Sequence, residues 1–448
     1  MDKKQIKENV AKITNSGIKL WHDEGKLRFK APKGAMKEEY ISFMKENKSD
    51  IINFLCEENE SIILNEDIKN RYEAFPLTDI QSAYLLGRRK DFAYGSIACH
   101  IYMEIKYDRE FDTEKASEIW QKIYENHEML HSVINKDGYQ VILKDFPALN
   151  VNCNDYSNNI DGESEFLKIR ESLSHKIYDT EKTPLFTVAF SKFADKTIMH
   201  FSIEFIIADW MSIWTILSQF EELYYGKNEN LEKVNVSFRD YIISSTKIKD
   251  TISYENDKNY WLEKIDTIPK APQLPMSSDA DKNKYSENVR FGRKNMSLSK
   301  EKWDNFKSIC SKIGITPTSA IMTAYASVLE RWSKNKKFSI NMTVLNRLPI
   351  HKDIGKVIGD FTSIDIVDIN MSKKESFSEY VKQVNKTLFE NLDHRFYSGV
   401  EVLRELTRQK GSEYAFMPIV FTSAIGLINN DMTNLKGEMT YGISQTPQ

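Results

Sequence analysis

The segment of residues 196–209 constrains the fold more than any other part of this sequence, because apolar and polar residues alternate within it. A period of two is typical of a β-strand whose two faces meet different surroundings. One face would carry Ile198, His200, Ser202, Glu204 and Ile206, and the other Met199, Phe201, Ile203, Phe205 and Ile207. The pattern predicts a buried strand whose polar face lines a cavity with His200, Ser202 and Glu204. The alternative is an edge strand with a solvated Glu204.

Two carboxylates, those of Glu204 and Asp209, stand in this apolar run. Burying a charge costs free energy unless the charge is paired or used in chemistry. The two residues are an odd number of positions apart, so their side chains point in different directions. We therefore expect that they do not act as a close pair, and that Asp209 has a cationic partner.

Composition bounds the class of protein. The chain has 448 residues, 41% hydrophobic and 28% charged, with a net charge of −3. This length exceeds a single core, which predicts two or three domains, and the charge argues against a general nucleic-acid binder. The four cysteines show no CxxC spacing, so neither a zinc site nor a disulfide framework is indicated. No apolar run has membrane-spanning length and no signal sequence is evident, which predicts a cytoplasmic protein.

Residues 1–58 are predicted to be a separate small unit. The sequence favours a helix over 3–15, a hairpin over 18–30 and a second helix over 37–56. The hairpin combines an aromatic residue with several cations: Trp21, Lys19, Lys26, Arg28 and Lys30. It is either an ordinary solvated hairpin or a basic platform for an acidic peptide.

The rest of the chain predicts two α+β lobes of similar make-up. A linker over 59–74 precedes a first lobe over 75–264, and a proline-containing connection over 265–288 precedes a second lobe over 289–448. Strand patterns occur at 97–106, 185–192, 197–207, 288–297, 338–345, 362–370 and 417–423. Helix patterns occur at 113–126, 163–176, 211–225, 237–246, 256–264, 300–313, 317–333 and 374–391. A further helix follows Asp79, its expected N-cap, and Trp332 is expected in the core.

Seven motifs, met in order along the chain, resemble those of the heterocyclization domains of nonribosomal peptide synthetases. They are FPLTDIQSAYLLGR (75–88), NHEMLHSVI (126–134), EFIIAD (204–209), TPTSAIMTAYASVLERWS (316–333), TVLNRLPIH (343–351), GDFTS (359–363) and PIVFTSAIG (418–426). YGISQTPQ (441–448) resembles the start of a further motif that continues to Leu-Asp-x-Gln. The segment SGIKLWHDEGKLRFKAPKGAM (16–36) separately resembles the docking domain of the tubulysin-synthetase type.

The resemblance implies an α+β fold with two chloramphenicol-acetyltransferase-like lobes in a V, preceded by a helix–hairpin–helix docking domain. Upstream and downstream peptidyl carrier proteins would deliver substrates on phosphopantetheine arms, and the domain itself would bind no cofactor. The implied reaction is amide formation followed by cyclodehydration of Cys, Ser or Thr to a thiazoline or oxazoline. A C-terminal peptide of an upstream synthetase subunit would bind the hairpin through Trp21, Lys26, Arg28 and Lys30. This unit also implies that the chain begins a polypeptide.

The resemblance also implies roles for individual residues. Thr422 matches the threonine that assists cyclodehydration, and its aspartate partner is expected just past Gln448. Glu204 stands where the family has Asp, so one extra methylene either alters efficiency or matters little to a structural role. Asp209 matches a structural aspartate, and we expect it to form an ion pair with Arg347.

The motifs supply further structural and tunnel-lining candidates, Asn346, Arg347, Asp360 and Ser423, and the alternating strand supplies His200. Asp360 would line the tunnel or cap a turn, and His200 would be a lining or core residue rather than a catalytic base. Two other functions stay open: condensation without cyclisation, and an inactive docking scaffold.

Overall fold

A computed structural model describes residues 3–16, 18–23, 26–31, 36–61, 64–89, 96–159, 161–276, 291–426 and 435–446. The architecture is α+β, as predicted, with a small helical unit followed by two sheet-containing halves. Within the described ranges, no helix is both long and apolar enough to cross a membrane.

The N-terminal unit is a helix, a hairpin and two further helices: α1 (Lys3–Asn15), β1 (Lys19–Asp23), β2 (Lys26–Lys30), α2 (Glu38–Glu46) and α3 (Lys48–Ser61). The single helix predicted over 37–56 is therefore two helices, because the chain leaves helical geometry at Asn47. Apolar residues at helical spacing form the unit's core: Ile6, Val10, Ile13, Met44, Ile51 and Phe54. The hairpin is antiparallel, with Trp21 opposite Arg28.

The N-terminal unit is bound to the body of the protein through α9 (Ile252–Lys264). Ile252 is buried in the unit's own core. Asn256 Nδ2 donates to Thr14 Oγ1 at 3.0 Å, and Lys7 Nζ donates to the Asp250 carbonyl at 2.9 Å. The hairpin is thus held on a fixed base.

The first half contains a five-stranded sheet in the order β13-β4-β9-β8-β7. Its strands are β4 (His100–Tyr107), β7 (Asn152–Asp155), β8 (Phe186–Lys192), β9 (Thr197–Glu204) and β13 (Glu438–Gln445). Every residue of β9 is buried, so the edge-strand alternative is wrong. Its apolar face packs on α5 (Thr113–Asn126) and α7 (Trp210–Tyr224), where the Trp120 ring stacks on Phe201 with centroids 5.3 Å apart.

The second half contains a three-stranded sheet in the order β11-β10-β12. Its strands are β10 (Lys337–Leu345), β11 (Thr362–Asn370) and β12 (Val420–Thr422). The strand predicted at 288–297 is wrong for its described part, since residues 291–297 form none. Met296 in this segment is 87% exposed. The alternating sequence therefore does not pair with a sheet here. Trp332, expected in the core, is the last residue of its helix and is 67% exposed.

Strand β13 crosses from the second half into the first. It pairs antiparallel with β4, with Ser444 opposite Ile101. The buried Glu221 carboxylate anchors its approach by accepting from the Gly437 amide at 2.9 Å and from the Tyr107 hydroxyl at 3.0 Å. Strand β13 therefore ties the second half to the sheet of the first half.

The remaining elements complete both halves. In the first they are β3 (Phe75–Pro76), α4 (Asp79–Gly87), β5 (Ser132–Ile134), β6 (Tyr139–Ile142), α6 (Gly162–Ser174) and α8 (Phe238–Ile248). In the second they are α10 (Lys300–Lys312), α11 (Pro317–Trp332), α12 (Phe377–Asp393), α13 (Gly399–Lys410) and α14 (Ser412–Ala415). The sequence patterns missed the small β3-β6-β5 sheet and α13.

Candidate active site between the two halves

A cavity of about 540 Å³ lies between the two halves, and we call it the main cavity. The first half contributes Tyr84, Phe205 and Trp210, and the crossing strand contributes Ser444. The second half contributes hydroxyl groups and apolar side chains: Thr316, Thr318, Met342, Thr343, Thr362, Phe389, Thr422 and Ser423. The wall is therefore apolar with a row of hydroxyls on one side.

Thr422 lies on the wall of the main cavity at the end of β12. Parallel pairing puts it opposite Thr343 of β10, and the two hydroxyls share a hydrogen bond at 2.8 Å. The next residue, Ser423, shares one with Thr318 at 3.0 Å. Each candidate hydroxyl thus has a neighbouring hydroxyl that orients it, and these neighbours were not among the predicted site residues.

Asp209 caps α7 and joins the two halves. Its Oδ1 accepts from the Ser212 amide at 2.7 Å, and Arg347 Nη2 lies 3.2 Å from its Oδ2. Both side chains are buried, at 1% and 6% exposed, so the predicted ion pair is present and largely screened from water. Arg347 also donates to the Ile354 and Val357 carbonyls and lies over the Phe361 ring.

The loop that carries these acceptors needs glycine at 359. Its amide and carbonyl both bond with the Ser212 hydroxyl, at 3.1 and 2.9 Å. A Cβ at this position would lie 2.3 Å from the Phe238 ring. The close approach of this backbone to the first half fixes the orientation of Asp360 and Thr362.

A smaller cavity of about 180 Å³ adjoins the main cavity, and Ile80 and Thr362 line both. Asp360 and Asn346 line the smaller one. Asp360 Oδ1 accepts from the Thr362 amide at 3.0 Å, so it both caps the turn and lines the cavity. Its Oδ2 has no hydrogen-bond partner in the described part of the chain. Burial raises the pKa of Asp360 to about 8, so this carboxyl is protonated at neutral pH.

Glu204 lines neither of the two cavities. The polar face of β9 was predicted to line a cavity, but it borders neither of these two, because α6 and the segment around Tyr178 cover that face. Glu204 Oε1 accepts from Arg88 Nη1 at 2.9 Å and from the Tyr178 amide at 3.2 Å. Burial raises the pKa of Glu204 to about 7, and Arg88 opposes that rise.

His200 is also absent from the walls of both cavities, so its core alternative holds. Its Nδ1 lies 2.6 Å from the Tyr102 hydroxyl and its Nε2 lies 2.8 Å from the Ser191 hydroxyl. Burial lowers the pKa of His200 to about 4. The ring is therefore a neutral member of a buried hydrogen-bond network.

The helix α4 joins the opening motif to both halves. Thr78, not Asp79, is its N-cap, because the Thr78 hydroxyl accepts from the Gln81 amide in a capping box. Gln81 Nε2 donates to the Ile206 carbonyl at 2.6 Å, and Asp79 Oδ1 accepts from Arg404 at 2.6 Å. Asp79 is therefore not the cap, and it forms an ion pair with Arg404 of α13. Tyr84 of the same helix lines the main cavity.

Two family models match the chain, "Condensation domain" over residues 72–447 and "TubC N-terminal docking domain" over residues 6–57. The first covers most of the sequence. The chain belongs to the condensation-domain family. Among the described residues, this condensation domain has no group of three His, Cys, Asp or Glu side chains that would hold a metal ion.

Relatives of this condensation domain include synthetases and one solved bidomain. Pyochelin synthetase PchF of Pseudomonas aeruginosa is 29% identical over 435 residues, which are 96% of this chain and 24% of PchF. Phenyloxazoline synthase MbtB of a Mycobacterium species is 30% identical over 84% of the chain and 31% of MbtB. The EpoB cyclization-docking bidomain of Sorangium cellulosum is 29% identical with a TM-score of 0.78, covering 99% of this chain and 89% of that one. The chain spans about a quarter to a third of these curated relatives.

Breaking the Asp209–Arg347 pair should destabilise the condensation domain strongly. We expect Asp209→Ala to lower the free energy of unfolding by about 3–5 kcal/mol, because Arg347 would keep a buried, uncompensated charge. The double variant with Arg347→Met should cost less than the sum of the single variants. Urea unfolding of all three proteins measures this coupling.

An exposed ion pair is the matched control for that cycle. Lys356 and Glu232 are in contact while 46% and 67% exposed, so Lys356→Met and Glu232→Ala should each change stability by about 1 kcal/mol or less. Strictly additive costs for Asp209 and Arg347 would contradict an energetic coupling between them.

The raised pKa of Glu204 predicts a pH-dependent stability. The folded state holds this proton more tightly than the unfolded state, so the contribution is full below about pH 4.5 and is lost as pH rises through about 7. Relative to Glu204→Gln, the wild type should lose about 3 kcal/mol of unfolding free energy across that window.

Urea unfolding at a series of pH values measures this difference. Arg88→Met, which removes the opposing cation, should move the loss to higher pH. A wild-type minus Glu204→Gln difference that stays constant with pH, or rises, would contradict the prediction.

Proposed function

We propose that this chain docks to an upstream synthetase subunit, joins a carrier-bound acyl group to a carrier-bound Cys, Ser or Thr, and cyclodehydrates the product. The observation that carries the proposal is Thr422, whose hydroxyl lies on the main cavity wall and is oriented by Thr343. The close structural match to a cyclization-docking bidomain supports it. Residues 1–58 would be the docking unit, and the rest would form one catalytic body in the cytoplasm.

The two adjoining cavities suit substrates that arrive on long arms. Because Ile80 and Thr362 line both, the two cavities are neighbours at the contact between the halves. Two phosphopantetheine arms entering from opposite ends would bring their thioesters together here. These arms would belong to the carrier proteins and would be the only prosthetic groups that the reaction uses. Holding both reactants in one confined space raises their effective concentration, and this positioning is the main demand of amide formation.

The chemistry has two steps. In the first, the acceptor amine attacks the donor thioester, a C–N bond forms, the C–S bond breaks, and the donor arm leaves as a thiol. In the second, the thiol or hydroxyl side chain adds to the new amide carbon. The carbonyl oxygen then leaves as water with the protons of that nucleophile and of the amide nitrogen. Thr422 would hydrogen-bond the oxygen that leaves.

We propose supporting roles for the other candidate residues. Asp209, locked by Arg347 and the cap of α7, would hold the wall that carries Trp210. Ser423 would share the binding role of Thr422, while Asn346 and Asp360 would line the path on the far side of Thr362. Glu204 lies off the cavity, so its extra methylene relative to Asp would be absorbed by Arg88 without reaching the substrate.

The mass of the carrier-bound product tests this function. The chain is mixed with an acyl-loaded upstream carrier and a downstream carrier loaded with cysteine, serine or threonine. A product one water lighter than the linear amide is expected. Linear amide as the only product would favour condensation without cyclisation. No transfer with cognate carriers would favour the docking-scaffold function.

Thr422→Val should separate the two steps. The change keeps shape and removes the hydroxyl, so we expect about a 100-fold slower ring formation with the linear amide still made. Thr343→Val should give a smaller loss, because it removes only the orienting partner. Thr407→Val, an exposed site on α13, is the control and should match the wild type. Normal ring formation by Thr422→Val would refute the role of this hydroxyl.

The hairpin is the proposed receptor for the upstream peptide. Lys26, Arg28 and Lys30 are exposed on β2, one strand of a two-stranded sheet. Phe29 between them is 53% exposed and offers an apolar contact. The side chain of Trp21 lies outside the described residues. An acidic extended peptide would add to this sheet as a strand, with its carboxylates near the cations.

Reversing two of these charges should weaken peptide binding. We expect Lys26→Glu/Lys30→Glu to bind the labelled C-terminal peptide of the upstream subunit roughly tenfold less tightly, with a smaller salt dependence. Lys45→Glu/Lys48→Glu makes the same charge change on the helices of the unit and should bind nearly normally. Fluorescence anisotropy measures both, and equal losses would contradict binding at the hairpin.

A further inference from the structure

A third cavity, of about 610 Å³, lies on the first half, and Lys356, Val357 and Ile358 of the second half also line it. It shares no lining residue with the two cavities of the proposed active site. We call it the Arg71 cavity. The chain before β3, the end of α5 and the segment between α7 and α8 meet there. Cationic and apolar residues line it, among them Arg71, Lys122, Lys144, Lys233, Phe146 and Phe238.

Arg71 is the deepest charge in this cavity. The residue is only 8% exposed, and its Nε and Nη2 have no hydrogen-bond partner within the described ranges. Its Nε lies 3.2 Å from Glu128 Oε1, so the Glu128 carboxylate offsets the charge of the guanidinium. The contact does not provide a hydrogen bond for Nε or Nη2. Buried donors left unpaired are costly, and the planar guanidinium fork suits the two oxygens of a carboxylate or phosphate.

Three lysines surround the entrance. Lys122, Lys144 and Lys233 are exposed. Lys233 is close enough to Glu128 to oppose the burial that raises the pKa of that carboxyl. Three carboxylates line the cavity too: Glu128, which pairs with Arg71, and Glu125 and Glu229. A fourth lysine, Lys356, is also in the lining, so the cations outnumber the carboxylates. An excess of positive charge around a concave entrance attracts anions.

The walls between these charges are apolar. Phe146 stacks on the His131 ring with centroids 4.0 Å apart, and Leu143, Val236 and Phe238 complete the surface. Burial lowers the pKa of His131 to about 4, so its ring is a neutral wall and not a further cation. The volume is in the range that small organic ligands occupy.

We propose that the Arg71 cavity binds a small organic oxyanion, a carboxylate or phosphate ester with an apolar body. Arg71 holds the oxyanion, the three lysines draw it in, and the aromatic wall packs on its body. The site is separate from the proposed active site, and the inference does not rest on the heterocyclization chemistry.

Calorimetric titration of the chain tests the proposal with matched probes: phenyl phosphate, benzoate, benzyl alcohol and inorganic phosphate. We expect one or both aryl anions to bind, the neutral alcohol not to bind, and inorganic phosphate to bind more weakly because it lacks the body. Binding should weaken as salt is raised. The stronger aryl anion identifies the phosphate ester or the carboxylate as the preferred headgroup.

Two variants locate the binding. Arg71→Met should weaken it about tenfold or more, through the loss of charged hydrogen bonds. A rim variant, Lys122→Gln/Lys144→Gln/Lys233→Gln, should weaken binding several-fold. Because it changes only exposed residues, it tests the proposal even if Arg71→Met does not fold. The control removes three exposed lysines elsewhere: Lys168→Gln/Lys300→Gln/Lys386→Gln. No heat with either aryl anion, equal binding of benzyl alcohol, or a rim variant that binds as well as the control would overturn the proposal.

Discussion

The contact of Asp209 with Arg347 is the constraint on which the rest of the site depends. One carboxylate caps α7 through Ser212 and meets a guanidinium from the second half. The same guanidinium gathers the carbonyls of Ile354 and Val357 and thereby shapes the loop that enters β11. One buried charge pair therefore connects three parts of the protein: the first half, the second half and the loop that leads into β11. A change in any of them alters the position of the cavity walls.

Other buried charges serve the first half in a different way. Glu104 accepts from Arg170 Nε at 2.6 Å and from the Tyr102 hydroxyl at 2.7 Å, and Tyr102 in turn meets His200. Glu204 and Arg88 form a second buried pair near the end of the same face of the sheet. Polar residues on a fully buried strand are thus satisfied by α6 and by neighbouring strands. They specify how the layers fit together, while hydroxyls from the second half line the main cavity.

Patterns within single segments of the sequence predicted many of the strands and helices. Most of the features that these patterns missed depend on contacts between segments that are distant in the sequence. Alternation identified β9, and helical periodicity identified α5, α7 and α12, because those signals lie within one element. The motif resemblance anticipated the Asp209–Arg347 pair. Alternation does not reveal which layer covers each face, so it directed Glu204 to a cavity and left His200 open between a cavity and the core. Thr343 became a partner of Thr422 only through parallel register, and Thr78 displaced Asp79 as cap because Gln81 completes a capping box.

The crossing strand also bears on the order in which this protein reaches its native state. Until Glu438–Gln445 has been synthesised, β4 presents an open edge, although the rest of its sheet lies hundreds of residues earlier in the chain. Pairing across such a sequence separation is slow, since a long loop must close before any contact rewards it. The first half therefore emerges from the ribosome with its sheet unfinished. Its edge then depends on chaperones, or on rapid arrival of the last strand, to avoid association with other chains.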